Sequence, residues 1–228
     1  MRFDDPHDAA GEPGSGTGGL SAIVGYLLVA LIAVALVGGA WLLTRDRIAF
    51  NAGSDTRAML ATVLPRDLHD NQPDEDVILL PTSDGQPGAA PLLPVYRARR
   101  GTTPTAAALT MIVGDGFGGP IRLLVGIKAD GTVLGVTILE QHEAPGIGDR
   151  IERSHSNWLD QFAGRSASDP LPERWRLRGD GGDFDAIAGA SVSSRAVLGG
   201  VRQAVEYFAS HKAEILAPHE PDRARQPG

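Results

Sequence analysis

The sequence predicts an α+β protein, in which one apolar helix near the N-terminus is followed by an antiparallel sheet with helices packed on it. Residues 20–43 contain no charged side chain. Asp130-Gly131 lies between two runs rich in β-branched residues, which is a strong hairpin signal. Further along the chain, apolar side chains recur at helical spacing and share one helix face: Val197, Val201, Val205 and Phe208.

Composition excludes several functional classes. A length of 228 residues is enough for one compact domain and an appendage. A formal net charge of −7 argues against nucleic acid as a partner. The chain has no cysteine, which rules out disulfides, thiolate metal ligands and a cysteine nucleophile.

The N-terminal part of the chain is predicted to be a tail followed by a membrane anchor. Residues 1–19 are rich in Gly, Asp and Pro and read as a disordered tail. Residues 20–43 are long enough for a transmembrane helix, which needs about 20 apolar residues. A cleaved signal peptide is the rival, but its apolar part is shorter and follows a basic segment. Arg45 and Arg47 favour a cytoplasmic body by the positive-inside rule, although the bias is only one or two charges.

Residues 44–105 read as a juxtamembrane segment of helix and loop. Apolar residues share one face between Ser54 and Leu64, and Pro65 ends that helix. Residues 70–94 are acidic and rich in Pro and Gly, so we expect loop around one short strand at residues 77–80.

Residues 106–212 form the predicted domain body. Its strands are expected at 106–113, 121–128 and 132–140. A helix capped by Asp149 then carries four apolar side chains and ends at Gly164. Those side chains are Ile151, Trp158, Leu159 and Phe162. After polar loop, a last helix spans about 194–212, and residues 213–228 form a tail.

Three hydroxyls, on Ser191, Ser193 and Ser194, stand just before the last helix. A hydroxyl there serves as an N-cap. The same position suits a phosphate, because free N–H groups and the helix dipole favour an anion. Gly189 and Ala190 keep side-chain bulk away from Ser191. Both interpretations remain open on these residues alone.

Two further segments invite a functional interpretation. Residues 114–119 match G-x-G-x-x-G, but Pro120 and a strand follow where a dinucleotide site requires a helix. The cluster Glu140, His142 and Glu143 has no second His or Cys at ligand spacing, so we predict no metal site. The loop after it contains Pro145, Gly146 and Gly148, and can hold a flat ring or be a plain turn.

Five blocks carry a resemblance to a known family. They are residues 118–126 (GGPIRLLVG), 130–135 (DGTVLG), 140–149 (EQHEAPGIGD), 181–185 (GGDFD) and 188–191 (AGAS). Leu64-Pro65 and Asp70-Asn71 add matches beside the apolar segment. From residue 20 to about Phe208, the chain resembles the G subunit of the Rnf (Rsx) ion-translocating electron-transport complex. It is more distantly similar to the C subunit of the sodium-pumping NADH:quinone reductase.

The resemblance implies an FMN-binding domain whose flavin is bound covalently through its phosphate. The acceptor would be Ser191, and a flavin transferase would read Asp185. The other cofactor-binding residues expected from the resemblance and the glycine-rich loops are Gly189, Ala190, Ser193, Ser194, Glu143, Pro145, Gly146 and Gly148. Serine replaces the family's acceptor threonine and offers the same hydroxyl chemistry. Ala188 stands where the family has Ser or Thr.

The resemblance also implies a place in the cell and a set of partners. The chain would be a single-pass protein of the inner membrane with its domain on the periplasmic side, against the weak Arg45 and Arg47 signal. It would relay electrons through FMN within a ferredoxin:NAD oxidoreductase complex that translocates ions, without independent catalytic activity. Its partners would be the other subunits, the flavin transferase and the bilayer. The alternative is a non-redox anchor that has lost flavin attachment.

Overall fold

The computed structural model describes residues 30–31, 56–81 and 92–218. Contacts divide the chain into Met1–Ala52 and Gly53–Gly228, and the sheet and both main helices belong to the second unit. The predicted span at 20–43 lies outside the described residues except for two helical positions, 30 and 31. Among the residues that the structure describes, no helix has the length and apolar character needed to cross a membrane.

A five-stranded antiparallel sheet forms the centre of the domain, and its strands are neighbours in chain order. They are β1 (Val77–Pro81), β2 (Leu92–Arg100), β3 (Thr103–Val113), β4 (Ile121–Lys128) and β5 (Val133–Glu140). The α+β class is therefore confirmed. The predicted hairpin at Asp130-Gly131 joins β4 to β5, and Gly131 has a φ of 101° that suits glycine.

A short helix, α1 (described over residues 56–63), packs on one face of the sheet. Leu60, Val63 and Leu64 are buried there against small residues of the sheet, including Ala106 and Ala108. A Cβ on Gly126 would lie 2.1 Å from the Val63 carbonyl oxygen, so the end of α1 needs a glycine beneath it.

The long C-terminal helix, α2 (Ser191–Ile215), covers the opposite face. All four side chains predicted to share a helix face are buried to 2% exposure or less, Val197, Val201, Val205 and Phe208. A Cβ on Gly200 would lie 2.8 Å from Val113 Cγ1 and 2.9 Å from Leu123 Cδ2. A glycine at this position therefore lets α2 approach β3 and β4 closely.

The strand β2 was not predicted, because its residues were assigned to loop and juxtamembrane segment. Arg97 and Arg99 explain the failure, since both are buried at 8% and 3% exposure where a strand signal requires apolar residues. Their guanidinium groups donate to the Asp76 carboxylate, Arg99 with a 2.6 Å bond from Nε. Arg99 Nη2 also donates to the Ala217 carbonyl oxygen at 2.7 Å. This Asp76 cluster ties β2 to the chain just beyond α2.

The helix predicted from Asp149 to Gly164 is wrong as a single element. Two 3-10 helices form instead, at Gly148–Ile151 and Trp158–Phe162. The polar residues between them form turns with their own hydrogen bonds, such as Ser156 Oγ to the Arg150 carbonyl oxygen at 2.6 Å. Asp149 lies inside the first turn, and the preceding cap residue makes no side-chain capping bond.

The remaining boundaries differ by a few residues. The strand predicted at 106–113 begins at Thr103, and the strand predicted at 132–140 begins at Val133. The short strand predicted at 77–80 is present as β1. The last helix was predicted from residue 194 to 212 but runs from Ser191 to Ile215, so all three serine hydroxyls lie in its first turn.

Candidate functional site

Three segments meet at the N-terminal end of α2. These segments are the glycine-rich loop between β3 and β4, the loop after β5, and the first turn of α2 together with the residues that lead into it. They line a cavity of about 230 Å³. Its lining consists of Phe117, Glu143, Ala144, Ile147, Gly148, Gly189, Ala190, Ser191, Val192 and Ser193.

The three serine hydroxyls lie in different environments. Ser191 is exposed, and its hydroxyl makes no hydrogen bond to any residue that the structure describes. Ser193 is 1% exposed, and its Oγ donates to Glu143 Oε2 at 2.5 Å. Ser194 is fully buried, where Oγ accepts from the Ile187 N–H at 3.0 Å and donates to the Ala190 carbonyl oxygen at 2.9 Å. Ser191 is therefore the only one of the three with a free and accessible hydroxyl.

The interpretation of Ser191 as an N-cap is wrong. The cap position belongs to Ala190, which has no side-chain hydrogen bond to offer, and Ser191 is the first helical residue. The first N–H groups of a helix have no partner within it. Because Gly189 has a φ of 83°, the chain turns sharply into the helix and leaves the approach to that end open.

The buried side chain of Glu143 connects the three segments through hydrogen bonds. It is 6% exposed, and its two oxygens accept from different parts of the chain. Oε2 accepts from Ser193 of α2, and Oε1 accepts from the Gly118 N–H at 3.2 Å. The Glu143 N–H donates to Gln141 Oε1 at 2.5 Å, and Gln141 Nε2 donates to Glu152 Oε1 at 2.7 Å.

Glycines surround this carboxylate because larger residues would collide with it. A Cβ on Gly148 would lie 2.8 Å from the Cβ of Glu143. A Cβ on Gly116 would lie 2.6 Å from Glu143 Oε1, and one on Gly118 would lie 1.7 Å from the His142 carbonyl oxygen. The G-x-G-x-x-G pattern thus packs against a side chain, and a strand follows it, as the sequence predicts.

Asp185 lies outside the cavity, in an exposed loop before α2. Its N–H donates to Gln161 Oε1 at 2.8 Å, and its carbonyl oxygen accepts from Trp158 Nε1 at 2.7 Å. Its carboxylate lies 3.0 Å from Arg178 Nε, and both side chains are largely exposed. The backbone of Asp185 is therefore held in place while its side chain faces solvent.

The cavity brings together six of the predicted site residues: Glu143, Gly148, Gly189, Ala190, Ser191 and Ser193. Four others, Asp185, Ser194, Pro145 and Gly146, are not part of its lining. Within the described part of the chain, no cluster of three or more His, Asp or Glu side chains could hold a metal.

Three apolar side chains, one from each segment, belong to the cavity lining that also includes Ser191: Phe117, Ile147 and Val192. We call them the apolar rim. They are 74%, 50% and 45% exposed, which is unusual for such large side chains. None of these three side chains was predicted as a site residue. Two sequence features could have indicated the rim. Phe117 is a bulky apolar residue inside a glycine-rich loop, and Val192 directly follows the candidate acceptor.

The site lies within a region shared with known proteins. The sequence model of the FMN-binding domain family matches residues 116–206. A curated relative from Cereibacter sphaeroides, the G subunit of an ion-translocating oxidoreductase complex, is 43% identical over 203 residues, covering 89% of this chain and 86% of the relative. The protein of the same name from Vibrio atlanticus is 38% identical over 194 residues, covering 84% and 92%.

One solved structure resembles the fold more loosely. It is the C subunit of the Na⁺-translocating NADH-quinone reductase from Parabacteroides distasonis, at 18% identity and a TM-score of 0.48. The match covers 77% of this chain and 98% of that one.

Proposed function

The chain belongs to the family of G subunits of ion-translocating oxidoreductase complexes, and on that premise we propose that it carries electrons through FMN bound covalently to Ser191. The observation that carries the proposal is the free hydroxyl of Ser191 at the start of α2, inside the region matched by the FMN-binding domain family. Formation of a phosphoester needs an accessible hydroxyl. The Ser191 oxygen would bond to the phosphorus of an activated flavin donor, a phosphoanhydride of FMN, while the anhydride bond breaks, the second phosphate group leaves and the hydroxyl proton passes to solvent.

The contacts of the two neighbouring serines favour Ser191 as the attachment site. A phosphoester at Ser193 would break its hydrogen bond to Glu143 and place an anionic group beside a buried carboxylate. Attachment at Ser194 would displace its bonds to Ile187 and Ala190 in a fully buried position. Attachment at Ser193 or Ser194 would therefore break existing hydrogen bonds, whereas the Ser191 hydroxyl has none to lose among the described residues.

The residues around Ser191 fit a phosphate. The uncapped N-terminus of α2 offers backbone N–H groups and the positive end of a helix of 25 residues. Gly189 and Ala190 leave room beside the hydroxyl, and the nearest atom that a Cβ on Gly189 would meet is Ile147 Cγ2, 3.4 Å away. The phosphate would therefore bind to backbone donors with little steric conflict.

The apolar rim fits the flavin ring. A cavity of about 230 Å³ is smaller than those that bury whole drug-sized ligands, which start near 300 Å³. Much of the ring would therefore rest on Phe117, Ile147 and Val192 at the surface. Such placement would leave one ring edge open to a partner that delivers or removes electrons.

When bound, FMN would supply the redox chemistry itself. Ser191 would keep the cofactor from dissociating, and the first turn of α2 would hold the phosphate charge. The loop after β5, with Pro145 and Gly146 at its tip, would limit the positions open to the ring. Asp185 would serve maturation, because its exposed carboxylate lies on a loop that a flavin transferase can reach.

The apolar segment 20–43 would anchor the chain, and with it the complex, in a membrane. In this proposal the domain faces the periplasm, and the other subunits exchange electrons with it. Dinucleotide chemistry would belong to another subunit, since the glycine-rich segment at 114–119 leads into β4, and its Gly116 and Gly118 pack against His142 and Glu143.

Coexpression of the full chain with a flavin transferase tests this function. We expect denatured wild-type protein to fluoresce in gels and to carry the mass of one phosphoester-linked FMN. Ser191→Ala should lose both signals, and Ser191→Thr should keep them because it retains a hydroxyl. Ser168→Ala, at a serine outside the cavity, is the matched control.

Two results would contradict the proposal. Covalent flavin that persists in Ser191→Ala would move the attachment to another hydroxyl. A wild-type chain without covalent flavin would favour the non-redox anchor, in which the domain serves only to bind other subunits.

A further inference from the structure

Glu143 belongs to the cavity lining, but its carboxylate is already hydrogen-bonded to other parts of the chain. Its carboxylate is 6% exposed, and each of its oxygens already accepts one hydrogen bond from the protein. The donors are Gly118 in the β3–β4 loop and Ser193 in α2, while Glu143 itself belongs to the loop after β5. We call this three-way contact the Glu143 junction.

We propose that Glu143 is a positioning residue, which fixes the three segments of the site relative to one another and so presents the Ser191 hydroxyl and the apolar rim in one arrangement. This inference rests on the proposed function for what the arrangement holds. From the sequence, Glu143 was counted among the residues that touch the cofactor, and the junction assigns it a different task.

Geometry supports this role through the sequence positions of the partners. Ser193 is 50 residues from Glu143 along the chain, and Gly118 is 25 residues away. Each apolar side chain of the rim lies close in sequence to one member of the junction. Phe117 precedes Gly118, Val192 precedes Ser193, and Ile147 follows Glu143 in the same loop. A change in the junction therefore reaches all three rim residues at once.

The glycines add a second, independent line of support. Gly116, Gly118 and Gly148 all lie so close to Glu143 or its neighbour His142 that a Cβ would collide. Three glycines thus pack closely against the segment that carries the Glu143 carboxylate. This packing is typical of a residue that orders loops, whereas a ligand-binding carboxylate needs an open side.

Glu143→Gln separates hydrogen bonding from charge. The glutamine Oε1 can accept from Gly118, and its amide can donate to the Ser193 oxygen, so the junction is retained without the charge. Glu143→Ala removes both bonds. Ser193→Ala removes one bond with a much smaller change in volume, and it serves if Glu143→Ala fails to fold.

The first measurement is amide hydrogen exchange on the flavin-free full chain. We expect exchange in residues 114–120 and 143–149 to rise about tenfold in Glu143→Ala, as expected for loss of a charged hydrogen bond. Ser193→Ala should show a smaller rise in both loops, and Glu143→Gln should stay within about twofold of wild type. Thr110→Val is the matched control, since it alters a buried hydroxyl on β3, 5% exposed, that has no partner in the described residues.

The second measurement uses flavin-bearing protein. Iodide quenching of flavin fluorescence and the visible circular dichroism should change in Glu143→Ala and remain near wild type in Glu143→Gln.

Several results would overturn the inference. Wild-type exchange in Glu143→Ala and Ser193→Ala would show that the junction does not order the loops. A Glu143→Gln chain that behaves like Glu143→Ala would assign the effect to charge. If wild type carries no covalent flavin, the proposed function fails, and the exchange experiment still decides the role of Glu143.

Discussion

The two ends of α2 differ in how their polar groups are satisfied. Beyond its C-terminal end, the Ala217 carbonyl oxygen accepts from Arg99, which shares the Asp76 carboxylate with Arg97. Arg99 Nη1 is a buried atom of this cluster with no hydrogen-bond partner among the described residues. At the N-terminal end, Ser191 is exposed and the cap residue offers no side-chain bond.

This difference distinguishes the end of α2 that stabilises the fold from the end that forms the candidate site. Buried charges that are paired hold the fold together, because leaving one of them unpaired is costly. Donors at a helix N-terminus that lack a partner within the helix are available to an anion. The comparison predicts that changes at the C-terminal end alter stability, and that changes at the N-terminal end alter flavin binding.

Asp76→Asn should have the largest effect on stability. It leaves the guanidinium groups of Arg97 and Arg99 buried without a compensating carboxylate, which should lower the free energy of unfolding by about 3 kcal/mol. Urea denaturation measures this change. Glu75→Gln, at a side chain that is 65% exposed, should cost less than about 0.5 kcal/mol. An Asp76→Asn chain that is folded but lacks covalent flavin would break the separation between the two ends.

The same aspartate predicts an acid dependence. Burial raises the pKa of Asp76, but hydrogen bonds from Arg99 and Arg97 outweigh it and hold the pKa below its ordinary value. Because the pKa is lower in the folded chain, the stabilisation is complete above the unfolded value of about 3.9 and is lost as pH falls through the folded value. The stability difference between wild type and Asp76→Asn should therefore shrink below about pH 4. A difference that stays constant down to acid unfolding would contradict this.

Gly118→Ala should have an intermediate effect. The new Cβ would lie 1.7 Å from the His142 carbonyl oxygen, so the β3–β4 loop must move away from Glu143. We expect a loss of about 2 kcal/mol in urea denaturation, together with greater iodide quenching of the flavin. Gly114→Ala is the control in the same loop, because its Cβ would meet no atom within 4 Å. Equal behaviour of the two variants would show that the close approach is unimportant.

Val192→Ala should have the smallest effect on stability and a clear effect on the flavin. Val192 is 45% exposed in the first turn of α2, so its truncation should change the unfolding free energy by less than about 0.5 kcal/mol. Loss of one side of the apolar rim should increase iodide quenching. Leu171→Ala, at an exposed leucine outside the cavity, should change neither quantity. Unchanged quenching in Val192→Ala would argue against the rim as the ring support.

Local patterns were enough to predict much of the fold. The β4–β5 hairpin follows from Asp130-Gly131 and the β-branched residues around it. The buried face of α2 follows from helical spacing. The strand β2 was missed because its inward-facing arginines depend on Asp76, which lies more than 20 residues earlier in the sequence. Helical spacing in residues 149–162 was misleading, since turns separate two short 3-10 helices.

The candidate site was predictable in part. Ser191 was chosen from the family resemblance, whereas its free hydroxyl becomes visible only when Ser193 and Ser194 are seen to be bonded. No local pattern connects Glu143 to Ser193, since 50 residues separate them. Which serine faces solvent depends on where α2 begins, and helix boundaries are the least certain part of sequence-based prediction.

Tandem mass spectrometry of a tryptic digest tests the central claim most directly. Cleavage after Arg178 and Arg195 releases residues 179–195, a peptide that contains Ser191, Ser193 and Ser194. Electron-transfer fragmentation should place the whole mass of the attached FMN between Ala190 and Val192, and Ser191→Ala should give only the unmodified peptide. Flavin mass on Ser193 or Ser194, or an unmodified peptide from wild-type protein coexpressed with the transferase, would contradict attachment at Ser191.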